Sequence, residues 1–268
     1  MKGRVLICAG SDSGGGAGIQ ADIKAVTALG GFAMTAITAL TAQNTLGVQG
    51  VVGVAPEFIR RQMQSVLEDL GADAIKTGML HDVATINAVC DEITWRAADV
   101  PLVADPVMVA KGGHRLLAQD AVETLKRRLL PLAAVITPNL PEAEELSGLA
   151  ITNEAGMHQA AAALLAMGAR AVLLKGGHME GDLLVDLLVT PQGTHRYEDQ
   201  RIATRHTHGT GCTLASAIAA GLAQGLALEP AVRRARAYVR AAIQGAPGFG
   251  AGHGPLDHGV TVDASRFD

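Results

Sequence analysis

Short, continuous apolar runs alternate along this chain with longer segments in which apolar residues recur every three or four positions. VLICA (5–9) opens the series as a buried strand, and the helix GIQADIKAVTALG follows a glycine-rich turn. FAMTAITAL (32–40) and VQGVVGV (48–54) predict further strands, Pro56 opens a helix through EFIRRQMQSVLEDLG, and ADAIKTGM (72–79) returns as a strand. Helices over 82–97, near 119–130 and over 153–168 then alternate with the strands PLVADP (101–106), AAVITPN (133–139) and AVLLKGG (171–177). The rhythm changes at LLVDLLVT, a PQG turn and THRYEDQ, which predict a β-hairpin of edge strands, before two helices near 210–226 and 229–245 and a Gly/Pro-rich tail. Repeated strand–helix alternation predicts a three-layer α/β/α sandwich around a mostly parallel sheet. No polar linker or internal repeat divides the chain, so one domain over 1–268 is expected.

Composition sharpens this picture. Of 268 residues, 49% are hydrophobic and only 3% aromatic, so the core must be built from small side chains and close backbone packing. Net charge is -4 without a long basic stripe, which gives nucleic acid binding little support. Arg233, Arg234, Arg236 and Arg240, at helical spacing, read as a solvated helix face. Cys8, Cys90 and Cys212 form no CxxC pair, which favours a reducing compartment. The N-terminal apolar run is too short for a secretory signal, and no segment approaches the ~20 apolar residues of a membrane helix. A soluble, cytoplasmic chain with no membrane or nucleic acid partner is expected.

In open sheets of this kind, ligands bind beyond the carboxyl ends of the strands. The chemically promising stretches fall there: AGSDSGGGAG, TAQNT, KTGM, DPVMVAKGG, TPNLPEAEE and LKGGH. The first carries five glycines between Gly10 and Gly18, letting backbone amides approach a ligand closely. Its loose GxGxxA match lacks the acidic residue that closes a dinucleotide site, and no GxxxxGKS or GxxxxGKT phosphate loop occurs. HGTGCT (208–213) sits at the start of an expected helix, where unpaired amides and about half a positive charge suit a phosphate or a developing anion. A nucleophilic Cys212, or a metal site of His206, His208 and Cys212, is the alternative. Asp105 and Glu142 offer hard oxygen ligands for Mg²⁺, although NLPEAEE also reads as an acidic first helical turn. Lys175 ends a buried strand as a plausible phosphate partner. The 108–116 segment, with VMVAKGGHR, reads as a flap hinged at Gly112 and Gly113, and His206 as an exposed loop histidine.

AGSDSGGGAGIQADIKA, ITALTAQNTLGV, IKTGML, ADPVMVAKGG, ITPNLPEAEEL, LLKGGH, HGTGCTLASAIAAGLA and GHGPLDH, in this order, resemble the ribokinase-like superfamily. They resemble most closely the hydroxymethylpyrimidine/phosphomethylpyrimidine kinases of thiamine biosynthesis. The resemblance implies a ribokinase-like fold, a homodimer, and ATP- and Mg²⁺-dependent phosphorylation of a small pyrimidine alcohol and of its monophosphate. It implies that Gln43 hydrogen-bonds the aminopyrimidine while Gly10, Asp22 and Met79 line its pocket. Gly209, Thr210, Gly211 and Cys212 then form an anion hole. Asp105, Asn139 and Glu142 organise Mg²⁺ and the phosphates, and Lys175 serves the nucleotide side. Many ribokinase-like sugar kinases carry Asp where this chain has Cys212, so the thiol is expected to take the substrate hydroxyl proton late in the transfer. Pyridoxal or pyridoxine phosphorylation is the alternative activity; Gln43, which can both donate and accept, favours the aminopyrimidine. A non-catalytic nucleotide sensor is the alternative of another kind, and the joint presence of Asp105, Glu142, Lys175 and Cys212 argues against it.

Overall fold

The computed structural model describes residues 2–109, 113, 115–177, 179, 181–263 and 265. Of the expected flap over 108–116, residues 110–112 and 114 fall outside them, the hinge Gly112 included. A nine-stranded sheet organises the rest, in the order β3-β2-β1-β4-β5-β6-β7-β8-β9. Strands β1 (Arg4–Asp12), β2 (Phe32–Asn44), β4 (Ala74–Thr77), β5 (Leu102–Ala104), β6 (Ala133–Ile136) and β7 (Val172–Lys175) run parallel. Antiparallel β3 (Gly47–Gly53) closes one edge, and the hairpin of β8 (Leu183–Thr190) and β9 (Gly193–Gln200) closes the other.

The central strands read as uninterrupted apolar runs because both faces are covered. In β1, Leu6 and Cys8 face one core while Val5, Ile7 and Ala9 face the other. Helices α2 (Pro56–Asp69), α3 (Val83–Arg96), α4 (Ala121–Thr124), α5 (Leu140–Ser147) and α6 (Glu154–Ala166) cover the first face. Helices α1 (Gly18–Ala28), α7 (Thr210–Ala223) and α8 (Leu228–Gln244) cover the second. The small-residue core is most evident in α7, where every residue from Thr213 to Gly221 is buried. A Cβ on Gly221 would lie 2.7 Å from that of Ala231, so α7 and α8 touch almost backbone to backbone.

Several elements depart from the sequence pattern. β1 and β2 continue as strands through Asp12 and Asn44, so AGSD and TAQN are extended chain overhanging the sheet. The overhang of β2 is held by β3, which folds back along it. The helix expected near 119–130 holds one α-turn, then widens into a π-helical turn over Leu125–Leu129 and tightens over Leu130–Leu132. The arginines of α8 are not a uniformly solvated face. Arg236, only 12% exposed, bridges Asp186 and Asp199 and lies over the Tyr197 ring, tying α8 to the edge hairpin. Arg234 is half-buried against Gln224, and Arg233 alone stays largely solvated. His206 is likewise half-buried, pressed on Gly254 of the returning C-terminal segment.

Candidate active site

Beyond the carboxyl ends of the parallel strands lies a cavity of about 900 Å³, lined from Gly10 and Gln43 at one end to Leu184 and Ile243 at the other. The β1–α1 loop is built on Asp12. Its carboxylate accepts the amides of Gly14, Gly16 and Ala17 at 2.8–3.1 Å, and His208 Nε2 lies 2.8 Å away. Burial alone would raise this carboxyl; the bonds from His208, Ala17 and Gly14 outweigh it and hold Asp12 below its ordinary range. The loop meets HGTGCT backbone against backbone. Gly209 has φ +82°, and a Cβ there would sit 1.8 Å from the Gly16 carbonyl oxygen, so only glycine allows this approach.

HGTGCT delivers the N-terminus of α7 into the cavity, and Gly209, Thr210, Gly211 and Cys212 all line it. This 14-residue helix has no side-chain cap; its Thr210 amide donates to the Thr207 carbonyl at 3.4 Å, which leaves those of Gly211 and Cys212 to meet an anion. A Cβ on Gly211 would be 3.4 Å from Lys175 Nζ and 3.6 Å from Asp105 Oδ2, so three expected groups converge there. Asp105 Oδ1 accepts from Thr137 at 3.0 Å and faces Lys175 Nζ at 3.3 Å. Burial would lower Lys175, but Asp105 and Glu142 together hold it above its ordinary value.

Glu142 and Asn139 form the capping box of α5: the Asn139 oxygen accepts the Glu142 amide, and the Glu142 carboxylate accepts the Asn139 amide. The acidic-helix reading and the site reading of NLPEAEE therefore describe the same residues. With its oxygen committed to the cap, Asn139 turns its NH₂ group to any ligand. Burial, reinforced by Asp105 and opposed by Lys175, pushes Glu142 up to about 7. Two buried carboxylates in mutual repulsion beside one lysine suit a hard divalent cation that completes its shell with water and phosphate.

The residues expected to meet the pyrimidine separate. Gly10, Gln43 and Met79 line the cavity, and the Gln43 carboxamide sits 3.3 Å from both Thr41 Oγ1 and His208 Nε2. Asp22 does not reach the cavity. It is sealed beneath, with both oxygens 2.9 Å from Lys76 Nζ and one 2.7 Å from Ser216 Oγ. Lys76 lines the cavity in its place. Burial opposes its charge, yet Asp22, Cys212 and Asp105 keep it protonated, above its ordinary value. Burial also pushes the Cys212 thiol up to about 12; Lys76 opposes this, and Asp22 and Asp105 reinforce it. Among the described residues no three His, Cys, Asp or Glu side chains gather for a metal. His208 faces Asp12 rather than Cys212.

Sequence reasoning missed Asp12 and Lys76, and weighed His208 only as a metal ligand. A lysine inside the apolar strand of ADAIKTGM was a usable signal, since a buried ammonium requires a carboxylate. At the far end, Asp186, Asp199, Arg201 and Arg236 also line the cavity.

A parallel sheet covered on both faces, with an uncapped helix N-terminus, two carboxylates and a lysine converging beyond its strand ends, defines a kinase of the ribokinase-like fold. The sequence pattern of the phosphomethylpyrimidine kinases matches residues 12–257, and the chain belongs to that family. Over 99% of its length it is 52% identical to a thiamine biosynthesis bifunctional protein of Geobacter sulfurreducens, of which it spans about half (54%). It is 50% identical over 95% of its length to a hydroxymethylpyrimidine/phosphomethylpyrimidine kinase of Streptomyces coelicolor, covering 94% of that protein. The structure of a phosphomethylpyrimidine kinase from Clostridium difficile matches with a TM-score of 0.80 at 40% identity, over 89% of this chain and 98% of that one. An ADP complex of Bacillus subtilis pyridoxal kinase matches with a TM-score of 0.89 at 35% identity, over 97% and 98%.

Proposed function

We propose that this chain transfers the γ-phosphoryl group of ATP to the hydroxymethyl group of 4-amino-5-hydroxymethyl-2-methylpyrimidine, and then to the resulting monophosphate. The observation that carries this reading is that one cavity is lined both by Gln43, which can donate to and accept from an aminopyrimidine edge, and by the free N-terminus of α7. The relatives' names and the ADP complex of the pyridoxal kinase support ATP as the donor.

Phosphoryl transfer passes through a loose transition state, so positioning and charge neutralisation contribute more than a strong base. The amides of Gly209 to Cys212 hold the transferring group, and Lys175 and the Asn139 NH₂ group meet the nucleotide phosphates. Leu184, Val239 and Ile243 supply apolar surface at the nucleotide end. Asp105 and Glu142 are the residues that would hold Mg²⁺. Bound there, the ion supplies charge neutralisation to the phosphate oxygens. Cys212 takes the hydroxyl proton as the new P–O bond forms, with Lys76 as the cation that favours the thiolate. The chain works in the cytoplasm, in keeping with three free cysteines, and as a homodimer. Leu46, exposed in the turn before β3, and Val52, exposed on β3, are apolar surface that a second copy would cover.

A second reading, pyridoxal or pyridoxine phosphorylation, draws support from the likeness to the Bacillus pyridoxal kinase. Comparing kcat/KM for hydroxymethylpyrimidine and pyridoxal by coupled ADP release decides between them. A preference for the pyrimidine is expected; a preference for pyridoxal would overturn the assignment. Nucleotide binding without turnover of either alcohol would favour a sensor.

A further inference from the structure

Gln43, His208 and Asp12 form a run of polar contacts in the cavity wall, and one distribution of hydrogens suits it best. Asp12 accepts three backbone amides and is ionised, so it also accepts from His208. His208 Nε2, 2.8 Å from Asp12 Oδ2, therefore carries the proton. The end of the Gln43 carboxamide 3.3 Å from this same nitrogen, if left as the Nε2 that the structure sets there, would oppose N–H to N–H. Turned over, its oxygen takes a second, longer share of the one hydrogen that His208 gives to Asp12. The other end, 3.3 Å from Thr41 Oγ1, is the NH₂ group. It finds an acceptor there because the Thr41 hydroxyl donates to the Ser11 carbonyl at 2.9 Å. The reverse orientation would set N–H against N–H at His208 and oxygen against the oxygen of a Thr41 hydroxyl already donating to Ser11. The imidazole is itself fixed: a Cβ on Gly16 would lie 2.6 Å from His208 Cδ2, so the glycine loop packs flat against the ring.

We propose that Asp12 and His208 are positioning residues that lock the Gln43 carboxamide with its oxygen toward His208 and its NH₂ toward Thr41, so that the enzyme selects an amino group beside a ring nitrogen and rejects an oxo group beside a ring N–H. The inference rests on the aminopyrimidine reading of the site. The hydroxymethyl group of the substrate must point at the phosphoryl site, which fixes the order in which its other edge meets Gln43. A 4-amino pyrimidine offers a donor and then an acceptor. A 4-oxo pyrimidine offers the reverse, and a free carboxamide would rotate to suit either. The locked one cannot rotate without setting its NH₂ against the His208 N–H and its oxygen against Thr41 Oγ1.

The test compares kcat/KM for 4-amino-5-hydroxymethyl-2-methylpyrimidine and for 5-hydroxymethyl-2-methylpyrimidin-4-one. Wild type is expected to favour the amino compound by ~100-fold or more, since a site built on paired hydrogen bonds rejects a partner that leaves them unmade. In His208→Leu this preference falls at least ~10-fold, mainly through loss on the amino compound. His208→Gln, which restores an N–H near the position of Nε2, retains the preference. Equal losses on both compounds in His208→Leu would mark a merely structural role and overturn the lock. Wild-type turnover of both compounds within about threefold would overturn it whatever the variants do. Gln43→Ala separates the two levels. If Gln43→Ala keeps the preference, the reading of the substrate edge fails. If it loses the preference and a folded His208→Leu does not, the lock alone fails.

Discussion

The two ends of the cavity are held together in opposite ways. At the pyrimidine end the polar groups are satisfied within the chain: Asp12 by three amides and His208, Asp22 by Lys76 and Ser216. At the phosphoryl end, Asp105 and Glu142 repel each other across Lys175, and the first amides of α7 have no side-chain cap. On the proposed function, one end is a finished mould for a neutral ring, and the other is a set of charges and donors that a polyphosphate and a cation would complete. Folding energy resides in the first, and transition-state energy is reserved in the second.

The largest expected effect breaks the seam between them. Gly209→Ala drives a methyl group into the Gly16 carbonyl and turns the α7 amides away, so kcat should fall ~10³-fold in ADP release. Gly225→Ala is the control, since that glycine has φ +86° with open space around it; it should lose about 1 kcal/mol of stability and keep full activity. Comparable activity losses in both would mean that backbone strain, not the seam, matters.

The two lysines sharpen the comparison. Lys76→Met leaves Asp22 buried without its partner, so it should cost ~3–5 kcal/mol and lower Tm by roughly 10 °C. Lys175→Met should move Tm far less and lower kcat ~10²-fold, because its carboxylate partners already repel each other. The reverse pattern, with Lys175 setting stability and Lys76 only turnover, would contradict the division of the cavity.

Two pH effects are smaller. A base must be deprotonated to act, and Cys212 is pushed up to about 12, so its active fraction grows as pH rises toward that value. Between about pH 7 and 9 wild-type kcat should rise, while Cys212→Ala should be flat and lower. A flat wild-type profile would leave the amides as the whole contribution of that turn. Glu142 acts on stability in the opposite sense. Its carboxyl goes from an ordinary 4.5 to about 7 on folding, so the folded state binds more protons across that window. The stability it contributes is fully present below about pH 4.5 and is lost as pH rises through about 7. Tm of the ligand-free enzyme should show this decline in wild type. Glu142→Gln, which keeps the capping box, should abolish it.

The alternating pattern revealed the layered sheet and the edge hairpin because buried parallel strands and amphipathic helices leave strong periods. HGTGCT pointed to an anion cradle for a local reason: glycines at a helix start. Asp105 and Lys175 stood out because each ends an apolar run, and Glu142 because it lies three residues after Asn139, at the end of another. The Asp12–His208 contact joins residues 196 apart, and no spacing announces it. Asp22 was misplaced because a motif gives a residue's neighbourhood, not its depth; its partners Lys76 and Ser216 lie 54 and 194 residues away. The π-helical turn at Leu125–Leu129 left no mark either, since one extra residue in a turn hardly disturbs a helical period.

The central claim is that one cavity phosphorylates the pyrimidine alcohol and then its monophosphate. The direct measurement follows the phosphorus products by ³¹P NMR as the wild-type enzyme acts on 4-amino-5-hydroxymethyl-2-methylpyrimidine with excess ATP and Mg²⁺. The monophosphate should accumulate first and then give way to the diphosphate, with two ADP released per pyrimidine consumed. Accumulation of the monophosphate alone, with one ADP per pyrimidine, would contradict the account.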